Sequence, residues 1–298
     1  MKQITIAIPY YSNLKYLKLA VDSVIKQSSS EWKMVISCDD PNADTLQNWV
    51  DELDDNRIRL SINKTGLGLG GNLNKCLDLS DTPLVTLLHE DDLLAPDYVE
   101  KMLRAASRFS DSNIFFCDTE IINAKGRRRF SFVDWVKKFL RPAYKKGVLS
   151  LRGDKGLSSL ARGNFIIAPT LCFRKRFAEK NSFNASLRFV LDWDLTCRAL
   201  LSGETLIGLK FKGYRYRRHG KSTTSQMTKD QSRFKEELAL ARRIEALAAE
   251  KGWEHSRKTA SRKIVLKLHL FYFLMRCLVS LNLRATRITL RLLSDALA

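Results

Sequence analysis

Leu84–Leu88 is an apolar run the length of one buried strand, and it ends abruptly in His89, Glu90, Asp91 and Asp92. Three consecutive carboxylates have no place in a core, so the chain must turn there and bring the acids to a surface. Open α/β sheets build their ligand crevices at the carboxyl ends of parallel strands. An acidic cluster at such a point suits a hard divalent cation or a polyhydroxylated ligand. The competing reading is a solvated loop, with Asp97 capping the helix that follows Pro96.

The preceding segments repeat this arrangement. Ile4–Ile8 reads as a strand, followed by a turn at Pro9-Tyr10-Tyr11-Ser12-Asn13 and a helical pattern through Leu14, Leu17, Val21, Val24 and Ile25. A strand at 33–37 runs into Cys38-Asp39-Asp40, and a helix over 45–53 leads to a strand at 58–62. This alternation predicts an α/β fold with a right-handed, parallel βαβ sheet. The glycine-dense stretch from Asn63 to Asn72 opens a helix over Leu73–Leu79. It follows the third strand, not the first, and lacks dinucleotide-fingerprint spacing. A backbone-close loop beside a nucleotide or a plain helix-entry turn remains. Further on, the pattern predicts a helix over 98–109, a strand at 114–117, a strand pair over 163–173, a helix that begins within 189–195 and runs through 201, and strands at 204–209 and 214–220. Residues 126–146, basic and aromatic, read as an acceptor-side or membrane-facing excursion.

The net charge of +19 is unevenly spread. Residues 1–120 hold 12 Lys and Arg against 19 Asp and Glu, and the rest holds 39 against 13. An acidic front and a basic back argue against a uniform nucleic-acid-binding face and for a catalytic half joined to something that meets an anionic surface. The six cysteines are scattered with no Cys-x-x-Cys pair, which fits a reducing compartment and neither a zinc site nor a disulfide framework. No signal-peptide pattern precedes the first strand. From 229 onward the texture is helical, with Gly252 closing the first helix. Arg262, His269, Arg276, Ser280, Arg284, Arg287 and Arg291 then recur as one stripe of an otherwise apolar helix. That stripe predicts an interfacial helix lying in the membrane plane, or else a helix packed on protein.

Taken in order, ITIAIPYYSNLKYLKLAVDSVIKQS, VISCDDPNAD, NKTGLGLGGNLNKCLDLSDTPLVTLLHEDDLLAPDYV, FVLDWDLTCRAL and YRYRRHGKSTTS resemble family 2 glycosyltransferases of GT-A fold, over about residues 2–225. The resemblance implies a GT-A, mostly parallel sheet flanked by helices over residues 1–228, with a nucleotide-sugar half (1–120) and an acceptor half (121–228). A basic helical extension (229–298) follows. It implies inverting transfer from a nucleotide-diphosphate sugar, of UDP or GDP type, to an acceptor hydroxyl, using Mn or Mg.

By the same resemblance, Asp39 matches the carboxylate that binds base or ribose, and Pro9, Tyr10 and Tyr11 match the first loop against the base. Asn72 matches the Asn at the helix start, though the Arg that often precedes it is Gly71 here. His89, Glu90 and Asp91 stand at the DXD motif; Asp91 matches the metal-binding Asp and His89 replaces the first Asp. Asp192 matches the catalytic Asp, with Leu191 where a Glu is usual. His219 matches a His near diphosphate or metal, and Arg217 and Arg218 are diphosphate candidates. The implied setting is cell-envelope glycan synthesis on a glycan or lipid-linked acceptor. The chain would be cytoplasmic and peripheral on the inner membrane face, with the C-terminal helices on anionic lipid and no nucleic-acid partner. A sugar nucleotidyltransferase is disfavoured, because PYYSNLKYL lacks a Gly-rich basic loop after the first strand. A polyanion- or RNA-binding protein is the alternative from another class.

Overall fold

A computed structural model describes residues 3–40, 43–131, 139–218, 227–228 and 230–297. Strands β1 (Ile4–Tyr10), β2 (Trp32–Cys38), β3 (Ile58–Ile62) and β4 (Leu84–Leu87) lie parallel in the order β3-β2-β1-β4. β1, β2 and β4 are covered on both faces, which is why they read as near-continuous apolar runs. Helices α1 (Leu14–Ile25), α2 (Asp44–Glu52) and α3 (Gly68–Leu79) make the connections. Asn13 starts α1 by accepting from Tyr16 N at 3.1 Å, and Leu17, Ala20, Val21 and Val24 form its buried stripe.

The parallel pairing stops at β4. Strand β5 (Leu93–Leu94), helix α4 (Tyr98–Arg108), β6 (Ile114–Ile122), β7 (Val148–Leu151), α5 (Gly153–Arg162), β8 (Cys172–Arg174), α6 (Lys175–Ala178), α7 (Leu191–Leu201) and β9 (Leu206–Arg217) follow. β8 is antiparallel to both β4 and β6, β6 runs parallel to β9, and β9 pairs antiparallel with β5 and β7. The sheet of nine strands is therefore mixed in its second half.

Two expectations need correction here. The strand pair over 163–173 is only β8, preceded by a 3-10 turn at Ala168–Thr170 that contains Pro169, which has no N–H for a ladder. The strands at 204–209 and 214–220 are one element, β9, running through both of its glycines. A β-carbon on Gly208 would stand 2.4 Å from the Phe116 ring, and one on Gly213 would stand 2.5 Å from Phe211. Glycine at these points lets aromatic rings lie flat on the strand.

Two apolar clusters form, one on each face of the sheet. One holds Ile4, Ile6, Ile8, Leu17, Tyr98 and Met102; the other holds Ala7, Val35, Leu73, Phe173, Leu191 and Leu195. The C-terminal chain folds as α8 (Ser232–Glu250), α9 (Glu254–Arg262), α10 (Ile264–Val279) and α11 (Leu283–Leu297). Gly252 closes α8 at φ +67° as expected. The single basic stripe is overturned: left-handed Lys263 (φ 50°) and Leu281 (φ 52°) break the helix, dividing the cations among α9, α10 and α11. The helices after 228 pack on the sheet and on one another. Leu240 and Ile244 of α8 and Ala260 of α9 belong to the second sheet cluster, while Phe234, Leu238, Leu266, Leu270, Leu292 and Ala296 form a small cluster of their own.

Candidate active site

A cleft of about 1940 Å³ opens at the carboxyl ends of β1, β2 and β4 and is walled on its far side by α10. The His89–Asp92 loop enters it after β4, clamped from several directions. Tyr214 Oη accepts from His89 N at 3.0 Å, and the Glu90 carboxylate accepts from Tyr11 N at 2.8 Å and Ser12 N at 3.3 Å. Arg217 fixes the other side: its N donates to Asp92 Oδ1 at 2.6 Å and its Nε to the carbonyl of Asp91 at 2.6 Å. His89, Glu90 and Asp91 thereby line the cleft. Burial raises the Glu90 carboxyl above its ordinary range, opposed by the amides of Tyr11 and Ser12. Burial lowers the His89 pKa against the charge of Asp91, which keeps the imidazole neutral and its lone pair available.

Asp39 also lines the cleft, and its oxygens accept from Leu67 N at 2.7 Å, Gly68 N at 2.9 Å and Asn63 Nδ2 at 3.2 Å. The glycine-rich turn is thus a helix entry held on a carboxylate. Gly70 serves close approach, since a β-carbon there would meet Ala185 Cα at 2.7 Å. Asn72 lines the cleft and donates to the carbonyls of Ser37 at 3.1 Å and Tyr10 at 3.3 Å, tying β1 to β2. Of the first-loop residues, Pro9 and Tyr11 line the cleft and Tyr10 does not. Strand alternation turns Tyr10 into the core, where burial pushes its hydroxyl up to about 12.

Asp192 lines the opposite wall, on the first turn of α7, and accepts from Asn164 Nδ2 at 2.8 Å. It is not the N-cap, a position held by Val190. Its neighbour Asp194 points away from the cleft and is buried between Arg198 Nε at 2.7 Å and Arg243 Nη1 at 3.0 Å. The entry to α7 is fixed from α8: Glu236 accepts from the amides of Arg188 (3.1 Å), Phe189 (2.8 Å) and Val190 (3.2 Å). Arg218 lines the cleft with its guanidinium over Tyr216. Arg217 is 2 % exposed and mainly braces backbone, also donating to the carbonyls of Asn123 and Ala124; its Nη2 has no partner among the described residues. His219 lies outside the described residues, as do 132–138 of the basic excursion.

Among the described residues, one group could hold a metal: His89, Asp91 and Asp92, with donor atoms within 4.8 Å of one another. Asp92 is fully buried, and its Oδ2 has no hydrogen-bond partner among the described residues. Burial, reinforced by Asp91, raises its pKa well above the usual range. An imidazole and two carboxylates, one with an orphaned oxygen, fit Mn or Mg. The sequence places Asp92 in the acidic cluster but as a surface acid with no role of its own; the structure instead buries it fully beside Asp91. Asn164 and Glu236 lie 28 and 46 or more positions from what they hold and left no local signal.

The family described as Glycosyl transferase family 2 matches residues 5–180, more than half of the chain. The chain belongs to this family. Among curated relatives, an uncharacterised glycosyltransferase of Methanocaldococcus jannaschii is 21% identical over 188 residues, 62% of this chain and 60% of that one. The UDP-Glc:alpha-D-GlcNAc-diphosphoundecaprenol beta-1,3-glucosyltransferase WfgD of Escherichia coli is 29% identical over 122 residues, 40% of this chain and 47% of its own. This family 2 chain thus spans about half to three fifths of those relatives' lengths. Among solved structures, S. aureus TarS 1–349 superposes with a TM-score of 0.59 at 16% identity, covering 91% of this chain and 72% of that chain. GalNAc-T7 with UDP, GalNAc and Mn2+ gives 0.54 at 12% identity, over 73% and 44%. These likenesses establish the GT-A layout of a central sheet flanked by helices, with a helical region at the C-terminus.

Proposed function

We propose that the chain transfers a sugar with inversion from a UDP-type nucleotide-diphosphate sugar to an acceptor hydroxyl, in the synthesis of a cell-envelope polysaccharide or glycolipid. The observation that carries this reading is one cleft holding the His89–Asp92 loop on one wall and an oriented carboxylate, Asp192, on the other. Relatives lend support. S. aureus TarS 1–349 has been solved with UDP-GlcNAc, and a further relative is the succinoglycan biosynthesis protein ExoO of Rhizobium meliloti.

In this reading Asp192 takes the proton of the acceptor hydroxyl as its oxygen bonds to the anomeric carbon, and the bond from that carbon to the diphosphate breaks on the opposite face. Asn164 holds the carboxylate in position for that transfer. Pro9, Tyr11 and the turn braced by Asp39 flank the nucleoside, while Arg218 faces the diphosphate and Arg217 braces the acidic loop beneath it. Asp91 and His89, backed by Asp92, would hold Mn or Mg, and His219 is a further candidate. A cation there would neutralise the charge growing on the departing diphosphate. Asp194 is assigned no chemistry, because both its oxygens are held by arginine.

The chain also suits attachment to the cytoplasmic face of an anionic membrane. No helix among the described residues is long and apolar enough to cross one. α10 nevertheless exposes Ile264, Leu268, Phe271, Tyr272, Met275 and Val279 along one stripe, with Arg276, Arg284, Arg287 and Arg291 exposed nearby. An apolar stripe edged by arginine can lie in the headgroup layer.

Thermal melting with UDP tests the donor site. UDP with Mn should raise the melting temperature, and chelator or Asp91→Ala should remove the increment. Equal stabilisation by UDP in chelator would discard the cation, and no response to any UDP or GDP ligand would discard the donor assignment.

A further inference from the structure

Helices α5 and α9 run parallel and in register. Asp154, at the start of α5, accepts from His255 N at 3.0 Å and Ser256 N at 2.7 Å, and one turn on Ser158 Oγ meets Thr259 Oγ1 at 2.8 Å. The next turn brings Arg162 level with Lys263. Contact continues one step further, since a β-carbon on Gly163 would stand 3.4 Å from Val265. Both cations line the cleft.

Lys263 is unusual in three respects. It is 8 % exposed, it adopts a left-handed φ of 50° at the junction of α9 and α10, and its ammonium has no hydrogen bond or ion pair among the described residues. Its stem is buried while its ammonium stays accessible, and no carboxylate among the described residues offsets that charge in the cleft. It also sits where α10 begins, so the first amides of that helix add to the positive field. Arg162 likewise has no hydrogen bond or ion pair among the described residues, and it lies two residues from Asn164, which holds Asp192. From this point α10 carries its apolar stripe outward. Leu268 and Tyr272 line the cleft and are still 62% and 63% exposed, so the cleft mouth runs continuously into the apolar face.

We infer that Lys263 and Arg162 bind a phosphate or diphosphate group of the acceptor, whose long alkyl chain leaves along Leu268 and Tyr272. The acceptor is then a lipid carrying its glycan through phosphate, and the cations set its hydroxyl against Asp192. This rests on the transferase reading above but concerns the acceptor side alone.

The test uses the full chain saturated with UDP and Mn, so that the donor diphosphate site is filled. Decyl diphosphate, inorganic pyrophosphate and neutral decyl glucoside, each below any micelle concentration, are titrated by calorimetry. Decyl diphosphate should bind best. Lys263→Met should weaken it by about tenfold or more, and Arg162→Gln by a smaller factor, because each removes a charged hydrogen bond to phosphate. Lys263→Arg should restore most of the loss, and decyl glucoside should not respond to any of these changes. Methionine is no more strained than lysine at a positive φ, and Arg162 is exposed, so both variants should fold; melting curves verify this. Three results would overturn the inference: decyl diphosphate binding no better than decyl glucoside, equal binding by pyrophosphate alone, or both substitutions without effect. A parallel loss of UDP affinity would also overturn it by moving the cations to the donor. Failure of the wild-type chain to bind UDP would instead strike the donor reading.

Discussion

Asp192 and Asp194 sit two residues apart on α7 in opposite surroundings, and the duties proposed for them are separated by isosteric substitution. Asp194 is 1 % exposed between Arg198 at 2.7 Å and Arg243 at 3.0 Å. Removing one partner of a fully buried ion pair costs about 3–5 kcal/mol. Here the arginine side chains are 29% and 50% exposed and stay partly hydrated, so about 2 kcal/mol is the reasonable figure. For a chain of this size that corresponds to roughly 3 °C in melting temperature. Asp192 is only half-buried, and an asparagine in its place can still accept from Asn164, so Asp192→Asn should change stability by less than about 0.5 kcal/mol. Its effect should fall on turnover, by about a hundredfold or more, because the base is gone. The two variants are compared by scanning fluorimetry and by UDP release across a panel of UDP-sugars. Asp194→Asn should melt early and still turn over at temperatures where it is folded, whereas Asp192→Asn should melt normally and be nearly inactive. An inactive but stable Asp194→Asn beside an active Asp192→Asn would show that the wrong carboxylate has been assigned to the chemistry.

Asp154 caps α9, and although burial works to raise its pKa, hydrogen bonds from Ser256 and His255 hold it below the ordinary carboxylate value. A pKa lower in the folded than in the unfolded chain adds stability above about pH 4 that disappears as pH falls through the folded value. Asp154→Asn should therefore cost about 1 kcal/mol at neutral pH and progressively less in acid, read from melting curves across pH. Gly70→Ala should lower the urea midpoint by the equivalent of about 1–3 kcal/mol, since its β-carbon must displace Ala185 or Leu191; an unchanged midpoint would mean α3 and α7 are loosely packed. The full chain should float with anionic vesicles at low salt, be weakened but not released by high salt, and be released by Phe271→Asp on the exposed face of α10; a wild-type chain that stays unbound at low salt would remove the membrane reading.

The parallel half of the fold was legible because each of β1, β2 and β4 is an apolar run that stops at a polar turn, a pattern that survives without tertiary information. The same feature exposed Asp39, Glu90 and Asp91, and a five-motif resemblance supplied Asp192. Tyr10 was misjudged by treating three adjacent residues as one loop when strand alternation still governs them. The pair over 163–173 failed because apolar residues around Pro169 pack without a ladder, and β9 was split because glycine was weighed as a break when it served ring packing. Asn164 and Glu236 act through contacts distant in sequence, and the nearness of Lys263 to Arg162 is visible only once the register of α5 against α9 is known.

The grip of α8 on α7 bears on how the chain can come apart. The three amides before Asp192 rest on Glu236, Asp194 shares its charge with Arg243, and Leu240 and Ile244 fill the same cluster as Leu191 and Leu195. A fragment ending near residue 228 would lose all of these together, leaving N–H groups bare at the point where the helix of Asp192 begins. The free energy that keeps Asp192 in place is therefore held in common by segments that look like separate units on the linear chain. α8 should melt with the sheet in one cooperative transition.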